Sequence, residues 1–229
     1  MPPLPSIMLS ILIFIVALKL TSYYQHNTEV FDMVAKINSI KTNSNYRALF
    51  ASHEIDNTNL EILLSNRQYP IKLVDARRLA YFMLAPTLCY QLSYPRNSSI
   101  RGIWLVKRFI EYGLILGLEF VIWLQYYQPQ LDELVDALNK QDYSYMELLG
   151  ILLKMSVPTI LMWIGGFYML FQVHMNILAE ILRFADRRFY DDWWNCRTIN
   201  EYWRLWNLPV HRFCLRHVYN PLLKKGYGR

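Results

Sequence analysis

Cysteine is scarce in this sequence, and its few cysteines are poorly placed for cross-linking. The 229 residues include Cys89, Cys196 and Cys214. An odd number of widely spaced cysteines excludes a disulfide framework as the basis of the fold. The apolar residues 7–20 do not resemble a secretory signal peptide, because they have neither a basic start nor a small-residue cleavage site.

Acidic residues are few in the last quarter of the chain, which therefore carries the whole positive excess. From residue 183 onward there are ten Lys and Arg against four Asp and Glu, and this difference of six equals the net charge of +6. No helix-turn-helix, zinc-binding or RNA-binding motif accompanies the basic tail, so we predict no nucleic-acid partner. An anionic lipid headgroup or a phosphate-bearing ligand fits the charge better.

Apolar residues make up 54% of the chain and aromatic residues 15%, which is high for a soluble protein. They occur in clusters, which predicts an all-α, multi-span membrane protein with full spans at residues 109–127 and 151–182. Residues 7–20 would extend only about 21 Å, short of a hydrocarbon core of about 30 Å. Residues 1–24 are therefore predicted to be a truncated first span.

The remaining segments are predicted to lie outside the full spans. Residues 25–108 are predicted to be cytosolic, with a polar loop at 21–70 and a short re-entrant or interfacial element within 71–94. The acidic residues 128–150 are predicted to be a lumenal loop containing a turn or short helix. The positive-inside rule places the basic residues 183–229 in the cytosol, and it predicts that the Asn97 sequon is unglycosylated.

Two carboxylates, Glu111 and Glu119, lie within or beside the predicted span 109–127. A carboxylate at membrane depth is costly and usually faces a helix bundle or a cavity. The sequence leaves open whether these two form inter-helix hydrogen bonds or line a functional cavity.

Aromatic and basic side chains are concentrated near the C-terminus. Four of the seven tryptophans lie between residues 193 and 206, and six arginines lie between residues 187 and 216. Trp and Tyr favour the membrane interface, and Arg binds phosphate through two parallel hydrogen bonds. This composition fits either an aromatic belt that anchors a helix or a surface that holds an anionic, lipid-like ligand.

A helical period follows this aromatic stretch. The spacing of Val210, Phe213, Cys214 and Val218 predicts an amphipathic helix lying in the membrane interface. The potential ligands His211, Cys214 and His217 are spread around that helix, so we predict no metal site.

The order of the aromatic residues is more specific than their composition. Residues 189–195, Phe-Tyr-Asp-Asp-Trp-Trp-Asn, resemble the FYxDWWN signature of the sterol/diacylglycerol branch of the membrane-bound O-acyltransferases. Residues 206–211, Trp-Asn-Leu-Pro-Val-His, resemble the block that follows this signature. The resemblance extends over residues 18–226 and implies the multi-span helical fold of that family, here incomplete.

Two activities within the branch compete. Residues 86–92 and 206–217 resemble diacylglycerol O-acyltransferases of type 1, whereas residues 93–97 resemble sterol O-acyltransferases. The longer C-terminal block favours acyl-CoA-dependent synthesis of triacylglycerol from diacylglycerol, with sterol ester synthesis as an alternative and a non-catalytic membrane scaffold or binding module as another. The resemblance implies a multi-pass homo-oligomer of the endoplasmic reticulum that binds acyl-CoA, diacylglycerol or another lipid alcohol, and membrane lipid, without a metal or cofactor.

The resemblance also assigns site residues. Asn207 matches an invariant polar residue that is expected to donate a hydrogen bond to the CoA arm or the reacting centre, and His211 matches a histidine that could orient it. Residues 189–195 are expected to form a loop that closes the CoA entrance, with Arg187 and Arg188 nearby. The implied acyl-CoA-binding residues are Phe189, Tyr190, Asp192, Trp193, Trp194, Asn195, Trp206, Asn207, His211 and Tyr219.

The catalytic base of the family is a histidine followed by Glu-Tyr in a later apolar span. None of the five histidines, at positions 26, 53, 174, 211 and 217, has this setting. We therefore expect this chain to be an internal fragment of a longer enzyme, without transferase activity by itself.

Overall fold

The computed structural model describes residues 3–41, 75–140 and 144–227, and the regular elements in these ranges are helical. Within them there is no β-strand, and an isolated antiparallel bridge joins Arg96 to Phe184. The all-α prediction is confirmed. The helices are α1 (Pro3–Lys41), α2 (Ala76–Leu84), α3 (Gly102–Ile122), α4 (Gln128–Lys140), α5 (Tyr145–Phe167), α6 (Met175–Ile181), α7 (Ile199–Leu205), α8 (Leu208–Cys214) and α9 (Asn220–Lys224).

Three π-helical turns in the described ranges join α-helices end to end. They are Trp123–Tyr127 between α3 and α4, Tyr168–His174 between α5 and α6, and Leu215–Tyr219 between α8 and α9. A π turn accommodates an extra residue, and so changes the direction in which the following side chains point.

Helix α1 is longer than the sequence predicts. Its part Leu9–Asp32 is one of two segments in the described residues that are long and apolar enough to cross a membrane. The predicted polar loop is wrong for residues 21–41, which continue the helix. The Thr21 hydroxyl is satisfied within the helix, because Oγ1 donates to the Ala17 carbonyl at 2.9 Å.

The chain divides into two compact units, Met1–Tyr94 with Tyr190–Arg229, and Pro95–Phe189. A buried cluster forms the core of the first unit, and it consists of Val30, Phe82, Tyr90 and Leu92, with Tyr23, Leu79 and Tyr94 packed against it. Tyr90 is the centre of this cluster, because the rings of Tyr23 and Phe82 both contact it edge to face, with centroids 4.8 and 5.2 Å away.

Lys19 fastens α1 to α2 within the first unit. Its side chain is buried, and Nζ donates to the carbonyls of Phe82, Met83 and Ala85 at 2.7–2.9 Å. Carbonyls at a helix C-terminus have no partner within the helix, and a cation there also opposes the negative end of the helix dipole. This buried lysine therefore caps the nine-residue helix α2.

A buried carboxylate holds together the second unit, which contains α3 to α6. Glu180 Oε1 accepts a hydrogen bond from the backbone N–H of Arg101, at the start of α3, at 2.7 Å. Its Oε2 accepts from Arg101 Nη2 at 2.8 Å and pairs with Arg187 Nη1 at 2.6 Å. A buried carboxylate needs such complete pairing, so Glu180 fixes the end of α6 to the start of α3.

The second candidate span is Tyr145–Ile181, which includes most of the predicted span 151–182. The predicted span 109–127 is not among the segments of the described residues that meet the same criteria. It lies in α3 and the π turn that follows, where Glu111 and Glu119 lower its hydropathy. Glu111 pairs with Arg108 at 2.7 Å and accepts from Tyr168 Oη, which agrees with the hydrogen-bonded alternative for this residue.

Candidate functional site

The stretch at 189–195 folds as a tight turn against α7. The N–H of Asp191 donates to the Leu205 carbonyl at 2.9 Å, and the N–H of Trp193 donates to the Asp191 carbonyl at 2.7 Å. Helix α7 then begins after Thr198, whose hydroxyl accepts from the Glu201 N–H at 3.1 Å. These local bonds fix the turn, because a Thr N-cap satisfies one of the free N–H groups at the helix start.

Aromatic rings of this turn and α7 contact one another in a continuous series. We call this series the aromatic ledge, and it comprises Tyr190, Trp193, Trp194, Tyr202, Trp203 and Trp206. Neighbouring centroids lie 5.5–6.3 Å apart, and Tyr202 stacks parallel to Trp206 within 7°. Trp194 and Trp203 are each 58% exposed, so the ledge offers an accessible aromatic surface.

Asn207 follows the ledge directly and is the N-cap of α8. Its side-chain Oδ1 accepts a hydrogen bond from the Val210 N–H at 3.2 Å. Because the Val210 N–H can only donate, the oxygen must face it, and the Nδ2 group must then point away from the helix end. The same side chain thus caps the helix and presents two donor hydrogens.

The helix that continues from Asn207 has one face in the protein and one outside it. Leu208, Phe213 and His217 are buried, whereas Val210 and Val218 are exposed. The predicted amphipathic pattern is therefore wrong for Phe213, which lies on the protein-facing side. Phe213 lies on the buried face of this helix. Val210 and Val218 are eight residues apart and share the exposed face.

His217 makes a hydrogen bond with each ring nitrogen. Nε2 lies 2.7 Å from Ser22 Oγ, and Nδ1 lies 2.6 Å from Gln25 Oε1. Ser22 Oγ also accepts from the Tyr90 N–H at 2.8 Å. Ser22 can therefore donate its hydrogen to Nε2, while Nδ1–H donates to the amide oxygen of Gln25.

A neutral imidazole satisfies both of these contacts. Burial, with a smaller contribution from the Arg216 charge, lowers the pKa of His217 from 6.5 to about 4. A protonated ring would carry a hydrogen on Nε2, where Ser22 already directs its own.

Arg216, next to His217, also forms hydrogen bonds between the C-terminal helix and the rest of the first unit. Its Nη2 lies 2.7 Å from His26 Nδ1, and its Nη1 donates to the Tyr90 carbonyl at 3.3 Å. Since a guanidinium only donates, His26 Nδ1 must accept. Arg216 and His217 thus join the C-terminal helix to α1 and to Tyr90.

The other predicted site residues differ in their exposure. Asp192 and Asn195 are exposed in the turn, and Tyr219 is exposed in the last π turn. His211 is half-buried on α8, one turn after Asn207. Phe189 is buried and belongs to the second unit.

Within the ledge, Tyr190 has an altered acidity. Burial and the nearby Asp192 carboxylate raise the pKa of Tyr190 above its usual value, so its hydroxyl stays protonated.

Arg187, predicted only to lie near the loop, is paired within the second unit. Its guanidinium pairs with Glu180 and lies over Trp104, with 5.6 Å between Cζ and the ring centroid. It is thus committed to the second unit and is not a freely oriented phosphate ligand.

None of the site residues predicted from the sequence lies on α1, although α1 has a buried polar face. Lys19, Ser22 and His26 follow one another at helical spacing and are all buried. A helical period was available in these residues as a signal. The interpretation of residues 21–70 as a loop hides this period, because it ends the helical pattern after Leu20.

Comparison with known proteins decides the family. The sequence model of the membrane-bound O-acyltransferase family matches residues 7–229. The chain belongs to the membrane-bound O-acyltransferase family. It is accordingly a membrane protein, and the fold and motif resemblance described above is confirmed.

Several relatives of this chain carry the name diacylglycerol O-acyltransferase. Diacylglycerol O-acyltransferase 1C of Glycine max is 42% identical over 185 residues, covering 81% of this chain and 35% of that protein. Diacylglycerol O-acyltransferase 1-2 of Oryza sativa subsp. japonica is 45% identical over 159 residues, with 69% and 33% covered. Diacylglycerol O-acyltransferase 1 of Chlorocebus aethiops is 40% identical over 161 residues, with 70% and 32% covered. The chain spans about a third of the length of the curated relatives it matches.

Proposed function

We propose that this chain is part of an acyl-CoA-dependent diacylglycerol O-acyltransferase, which makes triacylglycerol. The observation that carries the proposal is the ordered aromatic ledge directly before Asn207, in a chain with relatives named diacylglycerol O-acyltransferase. Acyl-CoA is a substrate in this proposal, and no metal or other cofactor is required.

The chemistry explains why an amide donor is useful. The diacylglycerol hydroxyl oxygen attacks the thioester carbonyl, a base removes the hydroxyl proton, and the carbon–sulfur bond breaks to release CoA. Negative charge develops on the thioester oxygen, and a hydrogen-bond donor placed there lowers the barrier. Asn207 Nδ2 is proposed to donate to that oxygen or to the CoA arm, and His211 to help orient the same group. The general base is proposed to lie outside residues 1–229, as the family resemblance implies.

The aromatic ledge suits the remainder of CoA. An adenine ring can stack on an exposed indole, and stacking of this kind contributes roughly 1–3 kcal/mol per base. The first unit also exposes Arg197, Arg204 and Arg212 near the ledge in sequence, and guanidinium groups pair well with phosphate. The ledge and these arginines are proposed to bind CoA, while the membrane supplies diacylglycerol.

The charge pattern supports a location for this site. The basic C-terminal region is proposed to face the cytosol of a multi-pass endoplasmic-reticulum protein, where acyl-CoA is available. A homo-oligomeric state is proposed from the family resemblance.

The test is product analysis with competing acceptors. The complete coding sequence that contains this chain is expressed in yeast cells lacking their own triacylglycerol and sterol ester synthesis. Their microsomes receive labelled oleoyl-CoA with diacylglycerol and sterol together, beside microsomes from empty-vector cells. The proposal predicts labelled triacylglycerol. Labelled sterol ester would support the sterol alternative, and no labelled ester would support a non-catalytic scaffold.

A further inference from the structure

We propose that Ser22, Arg216 and His217 are positioning residues for the acyl transfer proposed above. They hold the helix that begins at Asn207 against α1, and so set the place of the Asn207 amide. The inference rests on the proposed function and adds to it residues that do not touch the reacting atoms.

The first observation is that His217 is buried and that both of its ring nitrogens have hydrogen-bond partners. The ring is 7% exposed, and its two nitrogens bond Ser22 and Gln25, both on α1. Ser22 is fully buried and has a second bond, which it accepts from the Tyr90 N–H. In the neutral ring the Gln25 oxygen accepts from Nδ1–H, so Nε2 accepts from Ser22 and one tautomer satisfies both contacts.

The second observation is the π turn at Leu215–Tyr219, which contains both Arg216 and His217. Adjacent residues of an α-helix point about 100° apart, so they do not normally share a binding surface. Here Arg216 reaches His26 and Tyr90 while His217 reaches Ser22. The π turn therefore accompanies a two-residue attachment to α1, and π turns often occur at functional sites.

The third observation is a direct packing connection back toward Asn207. The Phe213 ring contacts the His217 ring, with 4.9 Å between centroids, and Phe213 is buried one turn earlier. Helix α8 continues through the π turn without a break. A shift or rotation at His217 is therefore transmitted to the Asn207 cap, about 15 Å away along the axis. A displacement of about 1 Å at a reacting group can cost roughly 100-fold in rate.

The test compares variants of the complete protein in microsomes. His217→Leu removes both hydrogen bonds, while His217→Gln retains an acceptor close to the Nε2 position. Val218→Ala is the matched control, because Val218 is adjacent and 48% exposed. We expect His217→Leu to lower kcat at least 10-fold, His217→Gln to restore kcat to within about threefold of wild type, and Val218→Ala to leave kcat unchanged.

A double-mutant cycle with Asn207→Ala separates positioning from general destabilisation. If His217 acts through Asn207, His217→Leu lowers kcat at least 10-fold in wild type but less than twofold when Asn207 is already Ala. Additive losses, or a His217→Leu protein with wild-type kcat, overturn the inference. Should His217→Leu fail to accumulate, Ser22→Ala replaces it in the same cycle. The same fold-changes in kcat then support or overturn the inference. A wild-type protein without triacylglycerol synthesis overturns the proposed function as well, whereas an active wild type with additive losses overturns this inference alone.

Discussion

At the residue scale, the Asn207 amide combines a helix cap, made by its oxygen, with a hydrogen-bond donor, its nitrogen. The oxygen of its amide is committed to capping α8, through the Val210 N–H. The nitrogen of the same amide is thereby oriented, without any further partner being needed to hold it. Capping α8 therefore orients the Nδ2 donor. Substitutions can remove the donor and keep the cap, or remove both.

Capping alone gives the first prediction. Asn207→Ala removes the acceptor for the Val210 N–H and is expected to lower the free energy of unfolding by about 1 kcal/mol. Asn207→Asp keeps an acceptor at the same place, so we expect it to remain within about 0.5 kcal/mol of wild type. Denaturant unfolding of the detergent-purified protein measures both. Equal losses for Ala and Asp would contradict the capping role.

The neutral state of His217 gives a prediction about pH. Its folded pKa of about 4 lies below its ordinary value of 6.5, so the unfolded chain binds the proton more tightly. The associated stability is complete above about pH 6.5 and is lost as the pH falls through 4, by an amount of order 3 kcal/mol. Arg216 is the charged group beside this ring, and Ser22 and Gln25 are its neutral partners.

The unfolding temperature between pH 7.5 and pH 4.5 measures this loss. His217→Gln, which has no titrating ring, should show a smaller decrease over that range. An identical decrease in wild type and His217→Gln would show that other groups carry the acid sensitivity.

At the scale of elements, sequence patterns predict what is local. The aromatic ledge could be predicted as a unit because its members lie within residues 190–206, and the amphipathic period located the helix after it. The apolar period does not mark the end of helix α1, because its buried face is polar at Ser22 and His26, and only the spacing of these polar residues continues the helical pattern. The pair Ser22 and His217 is separated by 195 positions, and no local pattern indicates such a contact.

Packing between α3 and α5 gives a prediction with an internal control. A Cβ added at Gly165 would collide with Glu119 Oε1, whereas a Cβ at the adjacent Gly166 meets nothing within 4 Å. Gly165→Ala must displace the carboxylate end of the flexible Glu119 side chain, and we expect it to destabilise the protein by no more than about 1 kcal/mol. Gly166→Ala should be neutral or stabilising by up to about 1 kcal/mol, because Ala favours a helix interior.

The unfolding temperatures of these two variants, measured in detergent, check the prediction. Adding Glu119→Ala to Gly165→Ala should recover most of the loss, since the obstructing carboxylate is then gone. A Gly165→Ala protein as stable as Gly166→Ala would mean that Glu119 moves aside without cost.

At the scale of the whole molecule, the proposed acyl transfer requires a definite orientation in the membrane. The basic C-terminal region must face the compartment that contains acyl-CoA, and the net charge is concentrated there. Cys214 is exposed and Cys89 is buried, so a membrane-impermeant thiol reagent can report on this region without reacting at the core.

Orientation is tested in sealed microsomes. We expect a Cys196→Ser protein to react at Cys214 from the cytosolic face, and Asn97 to carry no glycan that an endoglycosidase removes. Labelling of Cys214 only after the membrane is opened, or a glycan on Asn97, would place the region in the lumen and contradict the proposed topology.

The role of the Asn207 amide in acyl transfer is decided by the rate of triacylglycerol synthesis by wild type and Asn207→Asp in the complete protein. Asp keeps the helix cap but lacks the amide hydrogens, so protein amount and unfolding temperature should match wild type. We expect at least a 10-fold lower kcat for Asn207→Asp, because removal of a transition-state donor has an effect of this size. Wild-type kcat in Asn207→Asp would show that Asn207 is a helix cap without a part in the reaction.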